Sequence, residues 1–558
     1  MAFLRQDKKG ADIYLRICEN ERQGSKVVQK TLYNLGSKSN YSQESLQRIG
    51  SQLYCLGGGN LTDLMEGMCQ EKGRYNYGFP LIIKHLIEVF GLNEVFSRLE
   101  RKHKLSYSLE SVVTLLLCNR WSEPMSKLGV YDTQSDYLGL ERIAQHWLYR
   151  SLDKLAQASE LIQLHIHKRN TELLDYQLDV VFYDVTTFYF DSDVEVEDAL
   201  RQKGFGKDGK IGKTQILLGL LLDKHRNPIG YELYSGDTYE GHTLKDSVKK
   251  LQTKYKIDKV VVVADSGMLN KDNLLEINAN GYEFIVGERL KNLPKSVQKD
   301  LLDRSEYQSM SLAKSGNTEE KINISYRIIT YAGRKIICTY SEKRAKKDRM
   351  EREKKLEKAL WYQKNPAALG KKAAIYYLKG CLVDTQTGEM SDPKQNKEQK
   401  TVYELDQQKI ANAAKYDGLK AIATSDMTLK NEDILLKYKE LYQIEQTFRS
   451  FKSFLETRPM FHWTDARIKG HFCICYLSFA LLNYLQQLLK KNNRHYSEND
   501  IRKMFNKMQV THLQQFKQDF YLRSPLNEEA REVLKILKIK PMPDMAANPL
   551  IINYLQKM

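Results

Sequence analysis

Two stretches of this chain hold a single aspartate inside a run that otherwise reads as strand. LDVVFYDVTTFYFD (178–191) is β-branched and aromatic around Asp184, and KVVVVADSG (259–267) is a near-continuous apolar run closed by Asp265. Runs of this kind suit strands covered on both faces of a sheet. A charge placed in one needs compensation, and a divalent cation is a good compensator. Taken singly, either aspartate also reads as the cap of the turn that follows it. Around these runs the period alternates. TQILLGLLLD (214–223) and PIGYELYSGD (228–237) read as strands joined at Asn227-Pro228, HTLKDSVKKLQTKY (242–255) and NKDNLLEINAN (270–280) as helices, and YEFIVGERL (282–290) as a further strand. The order of three strands, helix, strand, helix, strand predicts an α/β fold built on a mixed five-stranded sheet with flanking helices. In such a sheet the first and fourth strands are neighbours. Asp184 and Asp265 then come to adjacent points, as a pair of oxygen-rich metal sites ~4 Å apart requires.

The remaining sequence divides around this core. Residues 1–75 read as a small β-containing unit, with strand-like IYLRICEN and KVVQKTLYNLG before a helical stretch and the break GGGN. Residues 76–175 carry apolar positions at three-to-four spacing in PLIIKHLIEVFG, LESVVTLLLCNRW, HWLYRSLDKLAQ and ASELIQLHIHKRN, which predicts a mostly helical N-terminal domain, a candidate for binding DNA ends by its position and charge. Core segments are expected at 176–290 and 418–490. Between them, 291–417 holds a strand pair (INISYRIITYAGRKIICTYS), a highly charged helix (KRAKKDRMEREKKLEKALWYQ) and a polar stretch, the pattern of an inserted α+β subdomain. One long helix is expected over 431–456, and a helical C-terminal region over 491–558.

Composition narrows the partners. The 558 residues suit about three to four domains. A 42% apolar and 28% charged content is that of a soluble globular protein. The longest apolar run, around Cys475 to Leu485, falls short of the ~20 residues that span a bilayer, and MAFLRQDKKG has no apolar segment of a secretory signal behind its charges. The eight cysteines are scattered and form no Cys-x-x-Cys or Cys/His zinc spacing, which suits reduced thiols in the cytosol. A formal net charge of +17 suits a polyanionic partner, since each Lys or Arg set on a phosphate releases counterions. An anionic membrane surface would satisfy the same charge, but no basic amphipathic helix with a strong apolar face stands out.

Two motifs are set aside. Gly204-Phe205-Gly206-Lys207-Asp208-Gly209 has dinucleotide-fingerprint spacing but precedes a strand instead of following one, and Gly212-Lys213-Thr214 lacks the first glycine of a phosphate loop. The helix of 431–456 is more informative. Tyr438, Glu445 and Lys452 recur every seven residues, a spacing that drifts only ~20° around a helix, and Arg449 lies one turn beyond Glu445. Tyr, Glu, Arg and Lys make a poor core stripe but a sensible metal-and-phosphate surface. A solvated face with ion pairs is the blander alternative.

Together these residues resemble the DDE transposases of bacterial insertion sequences, in the group marked by Tyr-x2-Arg-x3-Glu-x6-Lys. The motif here runs from Tyr438 through Glu445 to Lys452, with Leu441 at the Arg position and Arg449 as a candidate replacement. FYDVTTFYF, VVVADSGMLN, GDTYEGHTL and RPMFHWTDARIKGHFCICYLSFALL extend the resemblance over roughly 76–490. It implies an RNase H-like core in which Asp184, Asp265 and Glu445 ligate two Mg²⁺, with Mn²⁺ as a substitute, and in which Tyr438, Arg449 and Lys452 hold phosphates. It further implies double-stranded DNA as partner, a homodimer on that DNA, and a cytoplasmic enzyme that cuts element ends and joins them to a target. An RNase H-like nuclease that does not join strands, and a catalytically silent DNA-binding derivative, are the alternatives.

Overall fold

The computed structural model describes residues 2–10, 12–23, 26–59, 69–175, 178–191, 193–195, 197, 199–204, 213–257, 260–314, 317–368, 376–384, 399–458, 460–515, 518–548, 550–551 and 554. The chain divides into two units, one of Tyr77–Lys507 with Asn527–Lys540, the other of Met1–Asn76, Met508–Leu526 and Pro541–Met558.

The larger unit opens with helices, as the three-to-four spacing predicts. Gly78–Val89 and Leu92–His103 lead to α1 (Leu109–Trp121), a short helix Lys127–Thr133 and α2 (Gln145–Leu174). The sheet follows: β1 (Val180–Tyr189), β2 (Thr214–Leu222), β3 (Pro228–Ser235), then α3 (Glu240–Thr253), β4 (Val261–Ala264), α4 (Lys271–Ala279) and β5 (Glu283–Glu288). Their order in space is β3-β2-β1-β4-β5. The pairs β3/β2 and β2/β1 are antiparallel, while β1/β4 and β4/β5 are parallel. β1 and β2 are buried almost throughout, which is why their sequences lack a polar face. Residues 205–212, where the glycine-rich spacing falls, lie outside the described residues; Thr214 opens a strand.

The inserted stretch does not stand apart from this sheet. β6 (Gln308–Lys314), β7 (Asn317–Tyr331) and β8 (Arg334–Tyr340) continue it, joined through β9 (Leu419–Thr424), which lies antiparallel between β8 and β5. With the two-residue strand Gln202–Lys203 the sheet has ten strands. The physical reason is the edge of β5. Left open, it would present unpaired backbone groups, and the apolar strand LKAIAT satisfies them. The charged helix α5 (Glu342–Lys364) and the hairpin Leu378–Asp384/Gln399–Leu405 make up the rest of the insertion, with Arg352 of α5 paired to Asp417; residues 385–398 of the polar stretch lie outside the described residues.

The helix expected over 431–456 is broken. α6 (Asn431–Lys439) and α7 (Tyr442–Arg449) are separated by a tight turn in which Leu441 N–H bonds Tyr438 O and Ile444 N–H bonds Leu441 O. A wide π turn, Ser450–Phe454, follows, closed by Leu455 N–H on Ser450 O. No Gly or Pro marks either break. Burial of Leu441, Phe451 and Phe454 sets them, tightening the helix at one point and widening it at the next. α8 (Asp465–Lys491) ends the core. It is long and apolar enough to cross a membrane, but 83% of its apolar window is buried inside the protein. Gly470 lets its backbone approach α2, since a Cβ there would stand 2.1 Å from Leu152 O.

The smaller unit has an antiparallel sheet of Ala2–Lys9, Asp12–Gln23 and Lys26–Ser37, and the helix Gln43–Leu56 capped by Ser42. Its second sheet pairs Cys69–Asn76 with Gln509–Gln515, Gln518–Arg523 and Met545–Ala547. The C-terminal region is therefore not purely helical as expected. QVTHLQQ has no apolar alternation; cross-strand pairs hold it instead, with His512 stacked on Tyr521 at 4.6 Å and 2.9 Å from Asp519.

Candidate active site

The site begins as a row of residues across the sheet. Val180 to Tyr183 pair in parallel register with Val261 to Ala264, so Asp184 and Asp265 follow the last pair together. Alternation sends both side chains to the same face, on strands ~4.8 Å apart. The row continues on β5 and β9. Val286 pairs with Ala264, which sets Gly287 beside Asp265, and Gly287 pairs with Ile422, with Lys420 on the same face two residues away. Asp184 is half-buried and accepts from the Val185 N–H at 2.7 Å. Asp265 is exposed where the strand turns into Ser266–Met268.

α6 lies over this row. Tyr438 is buried, with its hydroxyl 3.5 Å from Asp265 Oδ1. Burial raises its pKa first, and the charges of Asp265 and Asp184 raise it further, so the phenol stays a donor. The missing side chain of Gly287 makes this approach feasible: a Cβ there would stand 2.5 Å from Tyr438 Oη. Lys420 rests its ammonium 4.4 Å from the centre of the Tyr438 ring. Partial loss of hydration and then Arg344 of α5 lower the Lys420 pKa, while Asp265 and Glu445 raise it. Lys420 thus stands in the field of both carboxylates.

Glu445 is exposed in the first turn of α7, which packs against β1. Lys452, on the π turn, sets its ammonium 5.9 Å from the Phe188 ring, and Phe188 shares the face of β1 that carries Asp184. Arg449 parts from the group. It stays one turn beyond Glu445 within α7 but lines a separate cleft with Arg226, Gln446, Ser453 and Glu498. Leu441, at the signature Arg position, is buried.

The donor set fits a hard divalent cation only in part. Asp184 and Asp265 offer neighbouring carboxylates, but among the described residues no group of three or more His, Cys, Asp or Glu gathers at metal-holding distances. Glu445 is near enough to act on Lys420 yet has to move toward the pair to share an ion. Beside Asp265 opens a cleft of about 510 Å³ whose lining includes Arg289, Lys291, Arg344, Lys420 and Tyr438. Lys420 and Arg344 escaped the sequence reading. The one signal for Lys420 was a lone cation in the strand LKAIAT.

The family described as "Transposase DDE domain" matches residues 176–481, more than half of the chain. The chain belongs to that family. The match runs from just before β1 into α8 and so contains Asp184, Asp265, Lys420, Tyr438, Glu445 and Lys452. DDE transposases are in general nucleases and transesterases that use divalent metal ions. Two solved structures resemble this DDE-family chain loosely. A piggyBac transposase synaptic complex with hairpin DNA aligns at 10% identity over 76% of this chain and 77% of its own, with a TM-score of 0.36. A Mos1 transposase paired-end complex with a left transposon end aligns at 12% identity over 35% and 61%, with a TM-score of 0.14. No curated protein matches the chain.

Proposed function

We propose that this chain is a transposase of the insertion-sequence kind, with an RNase H-like core, that cuts DNA at the ends of its element and joins the freed ends to a target. The observation that carries the reading is the parallel register of β1 and β4, which sets Asp184 beside Asp265 under the helix bearing Glu445. These three carboxylates would hold two Mg²⁺, with Mn²⁺ as a substitute. When bound, such ions supply Lewis-acid stabilisation of an in-line displacement at phosphorus.

The chain's own residues do the positioning. Tyr438 donates toward Asp265 Oδ1 and fixes which carboxylate edge remains open. Lys420, Arg344, Arg289 and Lys291 form the basic wall of the cleft beside Asp265, where backbone phosphates would sit. Lys452 approaches β1 further along the same face, where it would hold a phosphate. The +17 charge fits DNA as the partner and the scattered cysteines fit the cytoplasm; action as a homodimer on two element ends is what the family resemblance implies.

The test is incubation of the protein with labelled element ends, supercoiled plasmid and Mg²⁺. Joined products support the proposal. Cleavage without joining would reduce the protein to an RNase H-like nuclease, and neither product, under Mg²⁺ or Mn²⁺, would refute both readings.

A further inference from the structure

A second concentration of positive charge lies where α1, the short helix Lys127–Thr133, residues 456–458 and 460–462, and α8 meet. A cavity of about 160 Å³ there is lined by Arg120, Lys127, Arg458, His462 and His471, with Tyr149 at its side. It shares no lining residue with the cleft beside Asp265. Three of its basic side chains are deeply buried: Arg120 is 5% exposed, Lys127 3% and His471 4%. Its one acidic lining residue, Glu456, is exposed.

The hydrogen bonds do not account for this gathering. Arg120 donates to the carbonyls of Leu455 (2.9 Å), Glu456 (3.3 Å) and Met125 (3.3 Å). His471 Nε2 lies 3.2 Å from Thr457 O, but its Nδ1 is buried with no partner, and the His462 ring packs 5.2 Å from it. Among the described residues Lys127 has neither a hydrogen bond nor an ion pair. The electrostatics agree. Burial, then Arg120, bring the Lys127 ammonium down to about 7. Burial, then Lys127, Arg120 and Arg467, bring His462 to about 3, and no carboxylate opposes them.

Buried cations without a counter-charge are costly, and they persist where something anionic compensates them. We propose that this cavity binds a single phosphate group. The volume takes one tetrahedral oxyanion but falls below the ~300 Å³ at which pockets begin to hold larger organic ligands. The phosphate has two sources, a DNA backbone phosphodiester or free inorganic phosphate. Phe461, 58% exposed at the cavity's rim, offers an apolar face to a sugar or base of the former. The DNA source rests on the transposase reading; phosphate binding itself does not.

The experiment uses the full chain and Lys127→Met, with His471→Gln as a second variant should the first not fold. Thermal unfolding is followed with and without inorganic phosphate, and binding of a random-sequence duplex is titrated against salt. Phosphate is expected to raise the wild-type Tm and to leave Lys127→Met unmoved. A salt slope for DNA binding that falls by about one in the variant assigns the site to a backbone phosphate, and an unchanged slope assigns it to free phosphate. If phosphate shifts neither protein, or both equally, and the slope is unchanged, Lys127 is a core lysine and the proposal is overturned. End-joining by Lys127→Met is measured separately, so loss of the transposase reading leaves the phosphate result intact.

Discussion

Replacing Gly287 with alanine tests the row of residues that assembles the site. An added Cβ would lie 2.5 Å from Tyr438 Oη and 3.0 Å from both the N and Cβ of Ser266. Comfortable separations are about 3.5 Å, and Ser266 backbone cannot retreat without disturbing Asp265, so the phenol must withdraw by roughly 1 Å. Its contact with Asp265 is already 3.5 Å and would be lost. A hydrogen bond to a charged group contributes about 1.5–3 kcal/mol, and the exposure of Asp265 argues for the lower end. Since ~1.4 kcal/mol is tenfold in rate, Gly287→Ala should slow strand cleavage by about ten- to thirtyfold. The control is Tyr438→Phe, which deletes the clashing oxygen. In that background the alanine should cost less, because only its contacts with Ser266 remain, and the double variant should be more stable than Gly287→Ala alone. Single-turnover cleavage of labelled ends gives the rates, and thermal unfolding gives the stabilities. A Gly287→Ala protein that cleaves at the wild-type rate, or losses that multiply in the double variant, would refute the reasoning.

Other perturbations separate the remaining roles. Asp184→Asn, Asp265→Asn and Glu445→Gln should each abolish Mg²⁺-dependent cleavage while the circular dichroism stays native; any one retaining full activity removes that residue from the metal site. Lys420→Gln should weaken cleavage more than Lys420→Arg, because the charge that Asp265 and Glu445 share is lost in the first and kept in the second; equal losses would point to packing on Tyr438. Arg449→Ala, facing another cleft, should leave single-turnover cleavage within a fewfold of wild type, whereas Lys452→Ala should not. For Lys127 the folded pKa, near 7, lies below the usual lysine value of 10.5. The unfolded chain therefore binds more protons between these values, and wild-type stability should rise with pH across that window relative to Lys127→Met. A stability difference that does not vary with pH would show that the ammonium is not desolvated.

The parts of the site that were legible in the sequence are those that one strand dictates by itself. Burial on both faces forces β1 and β4 into unbroken apolar runs, so a lone Asp184 or Asp265 stands out, and the order of elements makes the two strands neighbours. What was not legible depends on partners distant in the chain. LKAIAT reads as a strand anywhere; only the bare edge of β5 makes it β9 and brings Lys420 into the row. The breaks in the helix around Glu445 carry no Gly or Pro because buried Leu441, Phe451 and Phe454 set them. Likewise, His512 and Tyr521 define a strand pair only once they face each other.

The Leu441 position ties these points together. A guanidinium at the signature Arg position would stand on the turn between α6 and α7, where this chain instead buries Leu441 against the core. Arg449, the candidate replacement one turn beyond Glu445, lines another cleft. The positive charge beside Tyr438 and Asp265 comes from elsewhere: Lys420 on β9 and Arg344 on α5. Both belong to segments that the insertion between β5 and α6 brings onto the sheet. The insertion is then part of the site's electrostatics and not an appendage. Lys420→Leu should consequently be rescued in part by Leu441→Arg, which returns a cation to the same neighbourhood from the helix side. Cleavage by the double variant no faster than by Lys420→Leu alone, with both proteins folded, would show that the two positions are not interchangeable sources of charge.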